Sequence, residues 1–520
     1  MVANLSAFIT QSFRTWLTKG KFMGVRVRGS SLAHTWGGTL PAGGFAPRKL
    51  LMDASMTSNL ILNTDSYKLG TYLQYPADTR SVSAFVTTRG SSFRAEVMFF
   101  GLQMFLKDYL SRPVSRADVA EAEDVAAAHG QPFDRAGWLH IVDAHGGFLP
   151  LRIEAVPEGI ALRRGVPVVQ VVNTDPALPW LTSHVETALL RAVWYPSTVA
   201  TTAWRLRMAI LPFLERTTDD PMGLQPSRIS DYGCRSTSSV EQSALGGAAH
   251  LVHFHSSDSL PGILQAKRAY GASMPASSIP AAEHGTITAW GQDRETEAYS
   301  HLIDKFSSFG AYSVVSDSYD LHNAVTEIWG KKLQTKVRAA GATLVVRPDS
   351  GDPIDTPVQV VAQLAYAYGT RLNGKGFKVL DANVRVIQSD GVSIQDIQMI
   401  LGRLEGMGFS AENISFGMGS GLLHKINRDT LSFTMRASAV QNAAGVWREI
   451  GRRSTNPQEK PAMAGRVAAI ADGADVVAVP LADLGGRTNL LQPVWENGRL
   501  LKDWSFDEVR ARASAASPLP

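Results

Sequence analysis

Three short stretches carry residue types that could bind anions or take part in proton or group transfer. In SFGMGSGLL (415–423) an apolar strand pattern ends in three alternating glycines and a helix pattern begins. Backbone N–H groups at a helix start are unpaired donors at the positive end of the dipole, so they attract phosphate. The plainer role of such glycines is to permit a tight strand-to-helix turn. A Walker lysine–serine pair is missing, and so is an acidic residue about 20 positions further on; neither the nucleotide P-loop nor the dinucleotide fingerprint fits. In VVRPDSGDP (345–353), Arg347, Asp349 and Asp352 share a tight loop after a strand. An Arg fork binds phosphate or carboxylate through paired bonds, and an Asp two residues on accepts from sugar hydroxyls. An internal Arg–Asp turn lock is the structural alternative. In PAAEHGTITAW (280–290), His284 lies beside Glu283, and Asp317 or Asp320 is available to orient its other ring nitrogen. A nucleophilic or acid/base imidazole needs that support. Tyr67 and Tyr232 have ring faces that stack an aromatic ligand or pack at a core's rim.

The elements that must position these residues change rhythm along the chain. From Met56 to about residue 219 the pattern is mixed: Ser81–Thr87 alternates like a strand, Val97–Leu110 has helical spacing, and Leu151–Val172 is strand-like with Gly/Pro punctuation. A helix is predicted to open at the capping box Ser183-His184-Val185-Glu186 and to stop before Pro196. From about residue 228, short apolar strands alternate with helices. The strands are predicted at Ser227–Tyr232, Leu251–Phe254, Tyr312–Ser316, Thr343–Arg347, Val384–Gln388 and Asn413–Phe416, and helices at Leu321–Leu333, Val358–Tyr368 and Ile394–Leu404. This is a parallel α/β arrangement whose length suits a barrel or an open sheet. In both, C-terminal strand ends build the active site. Here those ends run into Gly233-Cys234-Arg235, Asp258, Asp317, Arg347-Pro348-Asp349, Asp390-Gly391 and the glycine-rich 417–421 turn. From about Arg428 the pattern returns to mixed strands, with an exposed loop expected at Pro457–Ala464 and fraying in the final SAASPLP.

Composition narrows the function classes. The 520 residues are 44% hydrophobic and 19% charged, which is the balance of a globular enzyme rather than a disordered chain. No apolar run approaches the roughly 20 residues that span a bilayer, so no membrane role is expected. The single cysteine, Cys234, excludes an internal disulfide and a cysteine-based zinc cage. The net charge of +4 hints at nucleic acid until it is divided: residues 1–52 hold seven Lys/Arg and no Asp or Glu, a charge of +7, leaving −3 for the rest. The basic, acid-free leader has three readings: upstream sequence ahead of a true start at Met56, a targeting segment, or a disordered arm. No nucleic-acid partner is expected.

Together the segments resemble the nicotinate/nicotinamide phosphoribosyltransferase family, and within it the nicotinamide-using members, over most of residues 57–470. NTDSYK (63–68), WYPSTVAT (194–201), DYGCRS (231–236), GGAAHLVHF followed by the SD of 257–258 (246–258), PAAEHGTITAWG (280–291), VVSDSYD (314–320), VVRPDSGDP, RVIQSDGV (385–392) and NISFGMGSGLLHKINRD (413–429) carry the resemblance. It implies an irregular TIM-like α/β barrel at 220–427 plus a mixed α+β domain built from segments 56–219 and 428–520, with 1–55 an extension. It implies condensation of nicotinamide with 5-phosphoribosyl 1-pyrophosphate to nicotinamide mononucleotide and pyrophosphate, with Mg²⁺ assisting the leaving group and ATP as co-substrate. It also implies a cytoplasmic homodimer with active sites at the subunit interface. By resemblance, Tyr232 and the partner's Tyr67 sandwich the pyridine ring, and Asp258 accepts from the carboxamide. Asp65 stands beside Tyr67; Arg235 and Arg347 hold the phosphoribosyl group. Asp349 and Asp317 serve ribose hydroxyls or Mg²⁺-linked groups and Asp390 is a further substrate-binding residue, although no metal-ligand set is assigned. Gly419 and Ser420 hold the 5′-phosphate, Arg428 and Arg436 complete the anion site across the interface, and His284 is transiently phosphorylated. Departures are Ser389 and Ser420 where glycine is usual, and Tyr232 and Ser236 where Phe and Gly are usual; added Cβ atoms beside phosphate narrow a site or add a donor. A further cation after the strand at 446–450 is Arg452 or Arg453.

Nicotinate phosphoribosyltransferase is the nearest alternative. Asp258 discriminates, since a carboxylate facing the exocyclic group accepts from an amide and repels a nicotinate anion. A non-enzymatic binding protein on the same fold would not need His284, Asp317, Arg347 and Asp349 together. A lyase or isomerase barrel would want a lysine or metal-ligand cluster at the strand ends, and neither is present in the sequence.

Overall fold

The computed structural model describes residues 59–89, 96–389, 391–451, 463–473 and 475–516. The leader, Asp390, Arg452, Arg453 and most of the 457–464 loop lie outside the described residues. The strands that organise the fold are β1 (Thr79–Thr88), β2 (Leu151–Ala155), β3 (Val169–Asn173), β4 (Ile229–Asp231), β5 (Ser256–Ser257), β6 (Ala311–Val315), β7 (Thr343–Arg347), β8 (Val384–Gln388), β9 (Ile414–Met418), β10 (Phe433–Asn442), β11 (Trp447–Glu449), β12 (Gln492–Glu496) and β13 (Arg499–Leu500).

They form two main sheets. An antiparallel sheet of order β11-β10-β1-β3-β2-β12-β13 draws its strands from both ends of the described chain. Its longest pairing, β1 with β10, runs from Thr79 opposite Asn442 to Thr88 opposite Phe433. The second sheet is parallel, of order β5-β4-β9-β8-β7-β6. Its edges curl toward each other through segment 277–281, which makes single parallel bridges from Ser277 to Ser256 of β5 and from Ala281 to Ser313 of β6. The result is an irregular α/β barrel beside a mixed α+β unit. Strands β6–β9 read as near-continuous apolar runs because both faces are covered, one by the barrel interior and the other by helices.

One helix, α1 (Glu186–Thr217), serves both units. Its first turns (Leu189, Val193) pack into the core of the antiparallel sheet, and its later turns (Val199, Leu206, Ile210) into that of the barrel. Pro196 does not end it, contrary to the sequence expectation. The ring is buried against Gly101, where a Cβ would sit 2.3 Å from it, and Ser197 Oγ donates to the Phe100 carbonyl at 3.0 Å, so packing outweighs the missing N–H. The predicted capping box is also absent: Glu186 pairs instead with buried Lys68. Helices α2 (Val240–His250) and α3 (Leu260–Tyr270) cross where Gly247 and Gly262 leave no room for a Cβ, and Gly246 is packed on Tyr195 and Leu423, which explains the GG of GGAAHLVHF as packing. Leu251–Phe254, expected as a strand, is a buried turn after α2, and the two-residue β5 follows it. The first part of SAASPLP is not frayed: helix Phe506–Ala515 includes Ser514 and Ala515. No described helix is long and apolar enough to cross a membrane.

Candidate active site

Parallel strands place their carboxyl ends at one face, so the loops after β4–β9 face a common mouth. After β6, Asp317 is almost sealed, its side chain 4% exposed, and its Oδ1 lies 3.0 Å from Nε2 of His284, which is 45% exposed at the start of the short helix His284–Thr288. The pair decides between the two orienting carboxylates: Asp320 is spent as a helix cap, accepting from the Asn323 N–H at 2.9 Å. Below Asp317 the strand end is held by Ser316, whose N–H donates to the Arg347 carbonyl at 3.0 Å and whose Oγ accepts from Trp329 Nε1 at 3.1 Å. The loops carrying Asp317 and Arg347 are thereby tied together.

After β7, Arg347 Nη2 lies 3.3 Å from Asp349 Oδ2, the turn lock that the sequence left open. Asp349 Oδ1 also accepts from Ser389 Oγ, after β8, at 2.8 Å. Asp352 takes no part: its Oδ1 accepts from the N–H groups of Ile354 and Asp355 at 2.9 and 2.7 Å and starts the next helix. Arg347 Nε is buried with no protein partner. Such an unsatisfied cationic donor at a mouth suits an incoming anion.

Tyr232 follows β4, and its N–H donates to the Met418 carbonyl at 2.9 Å. Its ring lies against Gly417, where a Cβ would meet ring carbons at 2.4 Å, so this glycine of SFGMGSG exists to admit the aromatic side chain. Burial pushes the Tyr232 hydroxyl up to about 12, with Asp258 adding to the effect and Arg347 opposing it. Asp258 is exposed after β5; its N–H donates to the Asp231 carbonyl at 2.9 Å and it accepts a short hydrogen bond from Ser278 Oγ. Gly419 begins the one-turn helix Ser420–Leu423, which is anchored by Tyr195 Oη donating to the Leu423 carbonyl at 2.8 Å. Arg235 is exposed in the turn after β4. The mouth thus brings together Tyr232, Asp258, His284, Asp317, Arg347 and Asp349, with Arg235, Gly419 and Ser420 on the loops that follow its strands.

The remaining predicted residues belong to other surroundings. Asp65 accepts from Thr187 Oγ1 at 2.6 Å, Tyr67 is 60% exposed with Lys68 Nζ 5.2 Å from its ring centre, Arg428 is exposed beside Asp429, and Arg436 sits on β10 opposite Phe85. Sequence reasoning missed Ser278 and treated Ser389 only as a departure. The first precedes His284 by six positions, but an isolated serine has no pattern that marks it.

An open groove of about 480 Å³ in the mixed unit, lined in part by Tyr72, Tyr75, Arg80 and Trp180, contains none of the mouth residues. Phosphate chemistry needs the converging charges, and these are at the barrel. Parallel strand ends that gather a buffered arginine, a carboxylate-backed histidine and a glycine turn define a sugar-phosphate-handling barrel enzyme. Residues 227–476 match the model of the nicotinate phosphoribosyltransferase (NAPRTase) family, and residues 59–153 that of the nicotinamide phosphoribosyltransferase N-terminal domain. A nicotinamide phosphoribosyltransferase of Xanthomonas campestris is 45% identical over 468 residues, 88% of this chain and 98% of the relative; one of Acinetobacter baylyi is 30% identical over 86% and 95%. Among solved structures, nicotinate-nucleotide pyrophosphorylase from Pyrococcus furiosus superposes with a TM-score of 0.56 at 16% identity, covering 90% of this chain and 97% of that one. Human nicotinic acid phosphoribosyltransferase gives 0.52 at 19%, covering 87% and 93%. These two share the fold. The chain belongs to the nicotinate/nicotinamide phosphoribosyltransferase family and is a pentosyltransferase.

Proposed function

We propose that the chain transfers the phosphoribosyl group of 5-phosphoribosyl 1-pyrophosphate to nicotinamide, giving nicotinamide mononucleotide and pyrophosphate in NAD salvage. The observation that carries the choice of amide is Asp258, an exposed carboxylate close enough to the Tyr232 hydroxyl to raise it. The pyridine nitrogen attacks the anomeric carbon as the C–O bond to pyrophosphate breaks; no proton moves at the ring. The protein's task is to fix the ring plane and offset the departing charge. Tyr232 supplies one face. Tyr67 of a second copy supplies the other, with Asp65, Arg428 and Arg436 beside it, a reading supported by the exposure of Tyr67, Asp65 and Arg428 in the single chain. Arg347 and Arg235 take phosphate oxygens, Asp349 a ribose hydroxyl, and Gly419 with Ser420 the 5′-phosphate.

On the tied loops Asp349, its side chain 26% exposed, is a hard oxygen donor that fits an ion taking one carboxylate plus phosphates, whereas Asp317 is sealed behind His284. Mg²⁺ held there would neutralise pyrophosphate charge. With Nε2–H donated to Asp317, His284 Nδ1 keeps its lone pair: it attacks the γ-phosphorus of ATP, the N–P bond forms, and the P–O bond to ADP breaks. Asp317 stabilises the imidazolium, and hydrolysis restores the histidine. A cytoplasmic site of action goes with this reading.

The test offers purified protein nicotinamide and nicotinate in parallel, with 5-phosphoribosyl 1-pyrophosphate, Mg²⁺ and ATP, and quantifies each mononucleotide by mass. The amide product is expected to dominate, and Asp258→Asn to shift the amide-to-acid ratio of kcat/KM toward the acid by about tenfold or more. Preference of the wild type for nicotinate would overturn the pocket assignment in favour of the nicotinate enzyme. No product from either would favour a binding protein on the same fold.

A further inference from the structure

A second cluster of chemistry-bearing side chains lies in the mixed unit. His140 and His145 belong to helix Arg135–His145, whose start is fixed by Asp134 accepting from the Gly137 N–H at 2.9 Å and whose end is fixed by Gly146 in the left-handed region (φ 61°). Both imidazoles reach one atom: Nε2 of His140 is 2.8 Å and Nε2 of His145 is 2.7 Å from Oδ2 of Asp175. The rings stand edge to face, 86° apart with centres separated by 5.6 Å. Asp175 follows β3 and is held from its own side. Its Oδ1 accepts from the Ala177 N–H at 2.8 Å, and its carbonyl accepts from Asn173 Nδ2 at 2.8 Å. Only Oδ2 is left to face the histidines.

We infer that His140, His145 and Asp175 form a binding site for a divalent transition-metal ion, Zn²⁺ in particular, which ties helix Arg135–His145 to the loop after β3. The three donor atoms lie within 4.8 Å of one another. Ligand bonds of about 2.0–2.2 Å at tetrahedral angles put neighbouring donors roughly 3.3 Å apart, so a small opening of the present contacts admits the ion. Two imidazoles and one carboxylate form a borderline donor set that suits Zn²⁺ over Mg²⁺ or Ca²⁺, which want oxygen. His140, 43% exposed, leaves a fourth position for water. Without an ion, both rings must carry their proton on Nε2 and spend it on a single oxygen; with one, three lone pairs converge on a cation. The site shares no residue with the barrel mouth, so its ion would be structural to the mixed unit.

The test uses untagged full-length protein stripped with chelator and titrated calorimetrically with Zn²⁺ in excess Mg²⁺, with thermal unfolding followed alongside. One equivalent per chain and a melting temperature raised by several degrees are expected. Co²⁺ in its place should give the visible absorption of a tetrahedral site. Asp175→Asn should weaken Zn²⁺ binding about tenfold or more, and His140→Gln, at an exposed position that does not threaten folding, should do the same. Failure of the wild type to take up Zn²⁺, or equal uptake by His140→Gln, would overturn the proposal and leave a hydrogen-bonded staple.

Discussion

At the barrel mouth Asp317 holds one imidazole, and in the mixed unit Asp175 holds two. Asp317 is nearly sealed behind His284, and the loop tied to it carries Arg347, whose Nε has no protein partner. Asp175 is tethered by backbone and amide donors, and its free oxygen meets only rings. The same two residue types therefore offer opposite things. One imidazole with its carboxylate on a loop tied to that of Arg347 suits the phosphoryl transfer proposed above, whereas two imidazoles converging on a carboxylate oxygen suit a cation. Stoichiometry and the neighbouring charge separate the two; the His–Asp contact itself does not.

The largest effect should come from neutralising the mouth carboxylate. Asp317→Asn keeps the shape but cannot stabilise an imidazolium or fix the tautomer, so under the proposed phosphorylation of His284 any gain in turnover from ATP should fall by about 10²-fold or more. Asp175→Asn should leave that gain untouched. Steady-state rates with and without ATP for both variants check this, and an equal loss in the two would erase the distinction between the regions.

The contrast also marks what was legible beforehand. The parallel sheet was readable because β7 and β8 are apolar runs bounded by turn residues, and both occupy the predicted ranges. His284, Arg347 and Asp349 could be picked out because each sits just past a strand or in a recognisable word. Three features were hidden. The continuation of α1 through Pro196 depends on Gly101 from a distant segment; Leu251–Phe254 reads as a strand because a buried turn is equally apolar; and the helix with His140 and His145 is separated from Asp175 by three strands, with no spacing rule to join them. Tertiary contact decides each case, and local propensity cannot.

A smaller effect, shared by both regions, concerns acid. His184 is buried against the mixed core and His253 against the barrel, and burial first of all lowers them, to about 4 and about 3. Hydrogen bonding of His184 to the Ile61 carbonyl at 3.0 Å does not reverse this. Unfolded histidine titrates near 6.5. Above that pH neither state binds the proton and stability is unaffected; as pH falls, the unfolded chain gains protons that the fold refuses. Each histidine should then cost roughly 2 kcal/mol between pH 6.5 and 5, with further loss toward its folded value. Denaturant melts at pH 7.5, 6 and 5 should show the decline, and a flat profile would mean that these histidines charge in place.

The smallest effect returns to the mouth and to Ser389, which the resemblance marks as a departure from glycine. Its Oγ donates to Asp349 Oδ1, on the opposite oxygen from the Arg347 contact, so the carboxylate is clamped from two sides. Its Cβ also lies 2.9 Å from where a Cβ on Gly417 would be, under the Tyr232 ring. If Asp349 meets a ribose hydroxyl, the serine sets the angle at which it does so and does not touch the sugar. One neutral donor to a charged acceptor is worth on the order of 1 kcal/mol, so Ser389→Gly should raise the KM for 5-phosphoribosyl 1-pyrophosphate about fivefold and leave that for nicotinamide nearly unchanged. Ser389→Ala should match it if the hydroxyl matters. If Ala behaves like the wild type and only Gly differs, the Cβ is supporting Tyr232, and the nicotinamide KM is then the one that should move.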